Sequence, residues 1–250
     1  MKLGPYELGP GAFPVIAGPC VIESEKHALG MATRLAEAAR RLDLDFIFKT
    51  SFDKANRTSP SSYRGVPLPE ALPIFQKIRS ETGFPVVTDV HTVDQPEQLA
   101  GAVDLLQIPA FLCRQTDLLT AAAATGLPVM VKKGQFLAPG DAGNIAAKLK
   151  AAGCVNFAII ERGVTFGYNN LVSDMRSIPI MQEQGIPVIF DATHSAQLPG
   201  GQGTTTGGLR QYIPAVARAA VAAGCDGIFM EVHDRPEQAK SDAATQWPLD

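Results

Sequence analysis

Six basic side chains lie at or just beyond the ends of short apolar runs, where they could bind an anionic substrate. They are Lys49, Lys54, Arg57, Lys132, Lys133 and Arg162. Arginine can hold a phosphate or carboxylate with two parallel N–H donors, and lysine supplies a point charge. Because the whole chain has a formal net charge of −3, cations gathered in one place predict a focused positive field. The alternative, a solvated loop lysine, suits Lys133 better than Lys49, which follows the apolar triplet FIF.

A second set of side chains could hold a divalent transition metal. A thiolate, an imidazole and two carboxylates form a mixed sulfur, nitrogen and oxygen donor set. The candidates are Cys20, His194, Glu231 and, among the later aspartates, Asp242. Their spacing matches no recognised metal motif, so the prediction depends on the fold bringing them together. Taken singly, Cys20 would be a buried thiol and His194 a neutral hydrogen-bonded histidine.

The sequence gives less reason to assign a chemical role to the remaining histidines and cysteines. His91 and His233 could transfer protons or could only support neighbouring groups through hydrogen bonds, whereas no role is predicted for His27. The four cysteines do not resemble a secreted disulfide framework. Cys154 and Cys225 each precede an apolar run and are predicted to be buried and structural. Cys113 is left open, with a structural role favoured.

The elements that must position these groups are eight apolar runs bounded by turn residues. Such runs are typical of buried parallel strands. A (β/α)8 barrel carries its catalytic groups at the carboxyl ends of its strands. The runs and their polar endings are FPVIAGPC, LDFIFKTS, FPVVTDVH, VDLLQIPA, LPVMVKKG, NFAIIERG, PVIFDATH and GIFMEVH.

Helix-like stretches alternate with these runs, which predicts right-handed crossovers and a parallel sheet. The fold class is therefore α/β, and eight units in 250 residues favour a closed (β/α)8 barrel. We expect one domain over residues 1–250, in which residues 1–12 form a hairpin cap. Little chain remains after the eighth run, so the eighth helix should be short or missing. The carboxyl ends of strands 1, 7 and 8 would then meet, which is what makes the proposed metal set credible.

The charge and hydropathy of the chain limit the classes of partner that it could bind. No general basic surface indicates nucleic acid or an anionic membrane, and no targeting or membrane-spanning segment is apparent. We therefore expect a cytoplasmic protein that acts on small molecules bearing phosphate or carboxylate groups. Three long polar loops, 52–70, 163–174 and 195–211, follow strand ends, and the last, which is glycine-rich, is expected to order over bound substrate.

Several of these segments resemble the 3-deoxy-D-manno-octulosonate 8-phosphate synthases. They are AGPCVIES, FKTSFDKANRTS, FPVVTDVH, QIPAFLCRQTDLL, VKKGQF, DATHSAQLPGG and MEVH with the later AKSD, in consistent order from about residue 13 to about residue 248. In the related heptulosonate synthases the stretch equivalent to KANRTS typically reads KPRTS. Asn56 therefore favours the octulosonate branch.

The resemblance implies condensation of phosphoenolpyruvate with arabinose 5-phosphate, with release of phosphate, on the route to the Kdo sugar of lipopolysaccharide. Similar proteins with cysteine at the position of Cys20 depend on a metal, whereas those with asparagine there do not. The resemblance thus implies one divalent ion, either zinc, iron, manganese or cobalt. It also suggests a homotetramer with PAFLCR near a subunit boundary.

The resemblance also assigns residue roles. The metal ligands would be Cys20, His194, Glu231 and Asp242, and the catalytic groups would be Lys54, His194 and Asp242. Phosphoenolpyruvate would be held by Lys49, Lys54, Lys132 and Arg162. The pentose phosphate would be met by Asn56, Arg57 and Thr206, the last standing where the family often has serine.

Three rival functions stay open at this point. A heptulosonate synthase would use erythrose 4-phosphate as the acceptor. A Schiff-base aldolase would use the amine of Lys49 or Lys132 as a nucleophile. A degenerate barrel could sense a phosphorylated sugar without turnover, although none of the strand endings lacks its chemical group.

Overall fold

The eight apolar runs form a closed barrel of parallel strands. The structure, a computed structural model, describes residues 1–9, 11–201 and 207–250. Strands pair in chain order, and the eighth pairs with both the seventh and the first, so the sheet closes on itself. The predicted (β/α)8 barrel is confirmed. Its strands are β1 (Val15–Gly18), β2 (Phe46–Lys49), β3 (Val86–Asp89), β4 (Leu105–Ile108), β5 (Val129–Lys132), β6 (Phe157–Glu161), β7 (Val188–Asp191) and β8 (Gly227–His233).

Helices pack around the outside of this barrel. The first begins after Ser24, whose hydroxyl accepts a hydrogen bond from the backbone N–H of His27, and the second ends at Gly83 with a φ of 70°. Both boundaries match the sequence signals for a helix start and stop. Within the described ranges the α-helices are α1 (Glu25–Arg41), α2 (Leu68–Thr82), α3 (Gln95–Leu99), α4 (Thr116–Ala124), α5 (Ala142–Ala151), α6 (Ser177–Gln182) and α7 (Ile213–Ala222).

Strand alternation decides which polar side chains face the barrel interior. The inner apolar cluster includes Ile47, Val87, Leu105, Met130, Ile160, Ile189 and Phe229. Because residues two apart share one face of a strand, the residue two positions beyond each of these also faces inward, at the carboxyl end. Those positions are Lys49, Asp89, Gln107, Lys132, Arg162, Asp191 and Glu231. The barrel therefore gathers cations and carboxylates on one axis.

A small hairpin closes the opposite end of the barrel. Lys2–Leu3 pairs antiparallel with Tyr6–Glu7. Leu3 is fully buried in the inner apolar cluster, and the Tyr6 hydroxyl donates to the carbonyl of Phe46 at the start of β2. The predicted amino-terminal cap is thus present, and it leaves the carboxyl end of the barrel open for chemistry.

The segment after β8 contains no α-helix in residues 234–250, as the sequence predicted. A short 3-10 helix spans Pro236–Gln238. Trp247–Pro248 then adds a parallel pairing to the end of β8. This route carries Ser241 and Asp242 back over the mouth of the barrel.

The long loops contain secondary structure of their own. In the loop after β6, Val164–Thr165 pairs antiparallel with Leu171–Val172, and after β7, Gln197–Leu198 pairs with Gly207–Gly208. Thr206, predicted to contact the pentose phosphate, lies outside the described residues. No helix in the described part of the chain has the length and apolar character needed to cross a membrane.

Gly18, the last residue of β1, is expected to tolerate no side chain. A Cβ at this position would lie 2.0 Å from the carbonyl oxygen of Lys49, and that carbonyl cannot retreat without moving the end of β2. We expect Gly18→Ala to lower the free energy of unfolding by about 3 kcal/mol, at the upper end of overpacking costs. Urea denaturation measures this loss.

Gly30 provides the matched control. It lies on the exposed side of α1, and a Cβ there would meet nothing within 4 Å. Gly30→Ala should stabilise the protein by about 0.5–1 kcal/mol, because alanine loses less backbone entropy in a helix. Equal effects of the two substitutions would show that the close approach of β1 and β2 is unimportant.

Candidate active site

The four predicted metal ligands meet at the carboxyl end of the barrel. A ligand atom from each of Cys20, Glu231 and Asp242 lies within 4.8 Å of the other two. The Nε2 atom of His194 is 3.6 Å from Glu231 Oε1 and 3.6 Å from Asp242 Oδ2. The structure thus brings together residues that are up to 222 positions apart.

Glu231 supplies the test of whether this cluster fits a cation. The carboxylate is buried, and neither of its oxygens has a hydrogen-bond partner among the described residues. Lys49 and Lys54 approach this carboxylate only to 3.7 Å, so its charge is partly balanced but its hydrogen-bonding capacity is unfilled, which is costly in a buried site. A divalent ion between sulfur, imidazole and carboxylate donors would supply the missing partner, and the donor set suits a borderline transition metal.

The thiol of Cys20 carries a proton that coordination to a metal ion would remove. Burial, reinforced by the nearby Glu231 carboxylate, raises the pKa of this thiol well above its ordinary value. Its sulfur lies 3.0 Å from the Ser241 hydroxyl and 3.3 Å from Asp242 Oδ2. Without an ion the sulfur therefore keeps its proton, whereas a thiol that coordinates a metal is deprotonated.

The segment after β8 is folded onto Cys20 by its own hydrogen bonds. Gln246 Oε1 accepts from the backbone N–H of Cys20 at 3.2 Å, and Gln246 Nε2 donates to the carbonyl of Ser241. Asp242 adopts a left-handed backbone with a φ of 49°, a conformation that aspartate tolerates better than most residues. These contacts place the Asp242 carboxylate beside Cys20, His194 and Glu231.

Asp191, at the end of β7, orients the imidazole of His194. Its Oδ2 atom lies 2.7 Å from His194 Nδ1 and 2.6 Å from Lys132 Nζ, and its Oδ1 atom accepts the backbone N–H of His194. With Nδ1 held by the carboxylate, the free Nε2 atom faces Glu231 and Asp242. This is the arrangement in which carboxylates set the tautomer of metal-binding histidines.

Buried carboxylates balance the predicted positive field. Lys49 Nζ and Lys54 Nζ each lie within 4 Å of both Asp89 and Glu231. Burial opposes the charge on Lys54, but the carboxylates around it, Glu231 and Asp89 among them, raise its pKa overall. The sequence indicated the cations and Glu231 but gave Asp89 no role, and it did not predict that these groups pair, so the site is an ion network rather than a plain basic patch.

The predicted arginines border this network. The Arg162 guanidinium is buried and donates to Gln197 Oε1 at 2.8 Å, and its Nε atom has no partner in the described residues. Arg57 donates to the Ser241 hydroxyl at 2.7 Å and likewise has an unpartnered buried Nε. These free N–H groups face no acceptor and are available to an anionic ligand. Asn56 is exposed in the same loop as Arg57.

Lys133 corrects one expectation from the sequence. It is fully buried rather than solvated, with Nζ 3.0 Å from the carbonyl of Leu137 and 3.5 Å from Glu161 Oε2. Strand alternation explains the difference, because Lys133 and Glu161 face away from the barrel axis and meet in the layer between strands and helices. This pair is separate from the network on the barrel axis.

The two histidines left open by the sequence have different surroundings. His91 packs edge-on against Phe52 with ring centroids 5.7 Å apart, and burial lowers the pKa of His91 below its ordinary value. His233 is buried beside Glu23 and stacks at 4.6 Å on His27. Neither ring belongs to the group formed by Cys20 and its neighbours.

Several residues of the site were not predicted from the sequence. Ser241 contacts both Cys20 and Arg57, and Ser51 bridges Lys49 to Asp89 with contacts of 2.8 and 2.6 Å. The inward strand positions Asp89, Gln107 and Asp191 are detectable by counting two residues beyond each inner apolar residue. No comparable signal marks Ser241, which arrives from a loop.

Asp89 makes the stability of the network depend on pH. Burial alone would raise the pKa of this carboxyl, but Lys49 and Lys54 lower it below its ordinary value, which is about 3.9 for aspartate. A depressed folded pKa gives stability that is present above about pH 4 and is lost as the pH falls through the folded pKa. We expect the free energy of unfolding to fall on acidification below about pH 4.

Asp89→Asn should lose about 3–5 kcal/mol near neutral pH, because it leaves buried lysines without their partner, and its acid dependence should be shallower. Urea denaturation between neutral and acidic pH measures both effects. Glu37→Gln, which changes an exposed carboxylate on α1, is the control and should retain the wild-type profile. A wild-type acid profile in Asp89→Asn would contradict the pairing.

Comparison with known proteins identifies relatives over nearly the whole chain. The model of the DAHP synthetase I family matches residues 7–250. The 2-dehydro-3-deoxyphosphooctonate aldolase of Bradyrhizobium sp. (strain ORS 278) is 61% identical over 236 residues, which is 94% of this chain and 82% of the relative. The protein of that name from Dechloromonas aromatica (strain RCB) is 54% identical over 253 residues, covering 100% of this chain and 91% of the relative.

Proposed function

The chain belongs to the DAHP synthetase I family and, within it, to the 2-dehydro-3-deoxyphosphooctonate aldolases, and on this premise we propose that it condenses phosphoenolpyruvate with arabinose 5-phosphate. The products are 3-deoxy-D-manno-octulosonate 8-phosphate and inorganic phosphate, on the route to the Kdo sugar of lipopolysaccharide. The observation that carries the proposal is identity of 54–61% to proteins of that one name across nearly the full chain. The heptulosonate and Schiff-base alternatives are not favoured.

The proposed metal centre consists of Cys20, His194, Glu231 and Asp242, and it would hold one zinc, iron, manganese or cobalt ion. The orphaned Glu231 carboxylate and the short distances among the four donors support it. Such an ion would polarise a substrate oxygen as a Lewis acid. Asp191 would keep His194 in the tautomer that leaves Nε2 free.

Phosphoenolpyruvate is proposed to bind among Lys49, Lys54, Lys132 and Arg162. Its carboxylate and phosphate are anions, and all four side chains are buried cations near the barrel axis. Lys132 already pairs with Asp191, so it would offer its remaining N–H donors to the substrate. Arg162, with its unpartnered Nε, is the group best placed to take a phosphate oxygen.

The pentose phosphate is proposed to contact Asn56 and Arg57 in the loop after β2, together with Thr206. Arg57 is anchored by Ser241, the neighbour of Asp242, so this loop and the proposed metal centre share a contact. That contact would bring the aldehyde end of the pentose towards the cluster while the phosphate end stays near the loop.

In the proposed reaction, carbon 3 of phosphoenolpyruvate forms a bond to the aldehyde carbon, and the aldehyde oxygen takes a proton. Lys54 is the proposed donor, because the surrounding acidic groups keep it charged. Water then adds to carbon 2, oriented by Asp242 beside His194, and gives one proton to the Asp242 carboxylate, from which it returns to Lys54. Its second proton passes to the departing phosphate as the new hydroxyl becomes the carbonyl. Cleavage of the bond between carbon 2 and the phosphate oxygen releases phosphate, whose charge Lys132 and Arg162 neutralise.

An assay with two acceptors tests the proposal. Phosphate release is measured with phosphoenolpyruvate and either arabinose 5-phosphate or erythrose 4-phosphate. We expect turnover with the pentose and little with the tetrose, whereas the opposite preference would establish the heptulosonate reaction. Borohydride added during turnover should leave Lys49 and Lys132 unmodified in mass spectra, because no Schiff base is part of the proposed reaction. The homotetramer and the cytoplasmic location stay predictions.

A further inference from the structure

A second group of possible metal ligands lies outside the cluster around Cys20. Glu23 follows β1, His27 lies in the first turn of α1, and His233 ends β8. One ligand atom from each lies within 4.8 Å of the other two. Asp234 borders the group, and the condensation reaction uses none of these four residues.

We propose that Glu23, His27 and His233 form a binding site for a second divalent transition-metal ion, with Asp234 orienting both imidazole rings. Two imidazoles and a carboxylate are a common donor set for zinc and cobalt. Unlike the cluster around Cys20, this group contains no sulfur. The two sites can therefore be distinguished by spectroscopy.

Asp234 is positioned to accept a ring N–H from each imidazole when an ion occupies the opposite nitrogens. Its Oδ1 atom lies 3.1 Å from His27 Nε2 and 3.1 Å from His233 Nδ1. A carboxylate that accepts both N–H groups leaves the opposite nitrogens, His27 Nδ1 and His233 Nε2, with free lone pairs. Metal-binding histidines commonly donate their other ring N–H to a carboxylate in this way.

The His27 Nδ1 atom is the observation that points to a ligand. It is buried, and it has no hydrogen-bond partner among the described residues. His233 Nε2 faces Glu23 Oε1 at 3.3 Å, which is close to the separation of about 3.4 Å between ligands of a tetrahedral ion with bonds of about 2.1 Å. An ion here would satisfy the orphaned nitrogen.

Ion binding would change the tautomer of His233. The backbone N–H of Arg235 donates to His233 Nδ1 at 2.9 Å, so without an ion the ring proton lies on Nε2, opposite Glu23. Coordination through Nε2 moves that proton to Nδ1, where Asp234 accepts it in place of the Arg235 contact. The ring stays neutral, and the step needs no net release of a proton.

The charges around the group favour a cation. Glu23 and Asp234 contribute two carboxylates, and the nearest opposing charge is the exposed Arg235, with Nε 3.7 Å from Asp234 Oδ2. Glu23 also accepts the backbone N–H of Lys240 at 2.8 Å. A bound ion would thus join the start of α1, the end of β8 and the segment that leads to Asp242.

Cobalt titration of the full chain, stripped of metal with a chelator, tests the proposal. Elemental analysis counts the ions bound per chain, and the absorption spectrum reports sulfur coordination by a thiolate-to-cobalt charge-transfer band. We expect two ions per chain in the wild type. Cys20→Ser should lose the band and keep the second ion, whose spectrum shows only visible ligand-field bands.

His27→Gln removes a ligand without disturbing the helix start, because glutamine is favourable three residues after a serine N-cap. This variant should bind one ion per chain with the charge-transfer band unchanged, because only two of the three proposed ligands remain. Glu25→Gln is the matched control. It alters an exposed carboxylate of the same turn, which pairs with Lys77, and should keep both ions.

A single ion in the wild type, with the same count in His27→Gln, would overturn the proposal and leave a hydrogen-bonded cluster only. A second ion that survives both His27→Gln and Glu23→Gln would also overturn it, because the ion would then lie elsewhere. Thermal unfolding of each stripped variant separates ligand loss from misfolding. If His27→Gln fails to fold, Glu23→Gln takes its place, and loss of one ion per chain with the charge-transfer band unchanged is the result expected.

Discussion

Removal of divalent metal with a chelator is expected to lower the rate of phosphate release at least about 100-fold, and addition of zinc or cobalt should restore it. Lewis-acid stabilisation of developing charge is worth several kcal/mol, and about 3 kcal/mol corresponds to about 100-fold in rate. In this chain the loss also leaves Glu231 buried with both oxygens unpartnered. Activity assays alongside elemental analysis of the same samples measure the effect.

Substitution at Cys20 distinguishes the loss of activity caused by loss of the ion from any other damage that the chelator does to the protein. Cys20→Ser replaces the sulfur ligand by a weaker hydroxyl donor and should lower activity and metal content together. Cys154→Ser is the matched control, because Cys154 is buried before β6 at the opposite end of the barrel, where its sulfur donates to the backbone carbonyl of Asn156. It should keep wild-type metal content and activity. Full activity in protein shown to be metal-free would contradict the metal assignment.

The activity of the Cys20→Asn variant shows what the ion contributes to the reaction. If the ion only orients substrate and water, the asparagine variant should turn over without metal, since neutral amide donors could hold the same oxygen atoms. Complete inactivity of a folded Cys20→Asn protein, with or without added metal, would count against an auxiliary role and favour direct participation of the ion.

The sequence predicted the barrel because its signals are local and repeated. Each apolar run contains a strand, and the hairpin cap was likewise indicated by local sequence, whereas the lack of an α-helix in residues 234–250 was expected from the short length of chain after the eighth run. The side chains that face the barrel axis can also be predicted from the sequence, since Lys49 and Lys132 lie two positions after Ile47 and Met130. The error at Lys133 arose from expecting a lysine on the strand face opposite to Lys132 to be solvated, whereas helices cover that face and Lys133 pairs there with Glu161.

The contacts across the mouth of the barrel were not predictable in the same way. Arg57 and Ser241 are 184 residues apart, and Lys132 reaches Asp191 across an intervening strand. Such pairs depend on side-chain reach and on the path of loops, which hydrophobic periodicity does not encode. The same holds for His27, whose helical context gave no sign that it stacks on His233.

Asp191→Asn is expected to lower metal affinity or kcat by about 10–100-fold, the usual effect of losing a carboxylate that orients a metal-binding histidine. Asp191 is fully buried, and one of its oxygens meets both His194 Nδ1 and Lys132 Nζ. Asparagine preserves the shape but removes the charge, and if its oxygen replaces Oδ2, its NH2 group faces the backbone N–H of His194 that Oδ1 accepts in the wild type. His194 would then lose its fixed tautomer, and Lys132 would lose its counterion.

The predicted kinetic pattern separates this role from simple destabilisation. KM for phosphoenolpyruvate should rise if release of Lys132 dominates, whereas kcat and metal affinity should fall with KM unchanged if misorientation of His194 dominates. Asp226→Asn is the control, because Asp226 caps the opposite end of β7 through the backbone N–H of Val188 and contacts no substrate group. It should lose stability only. Wild-type metal affinity, kcat and KM in Asp191→Asn would show that neither partner depends on this carboxylate.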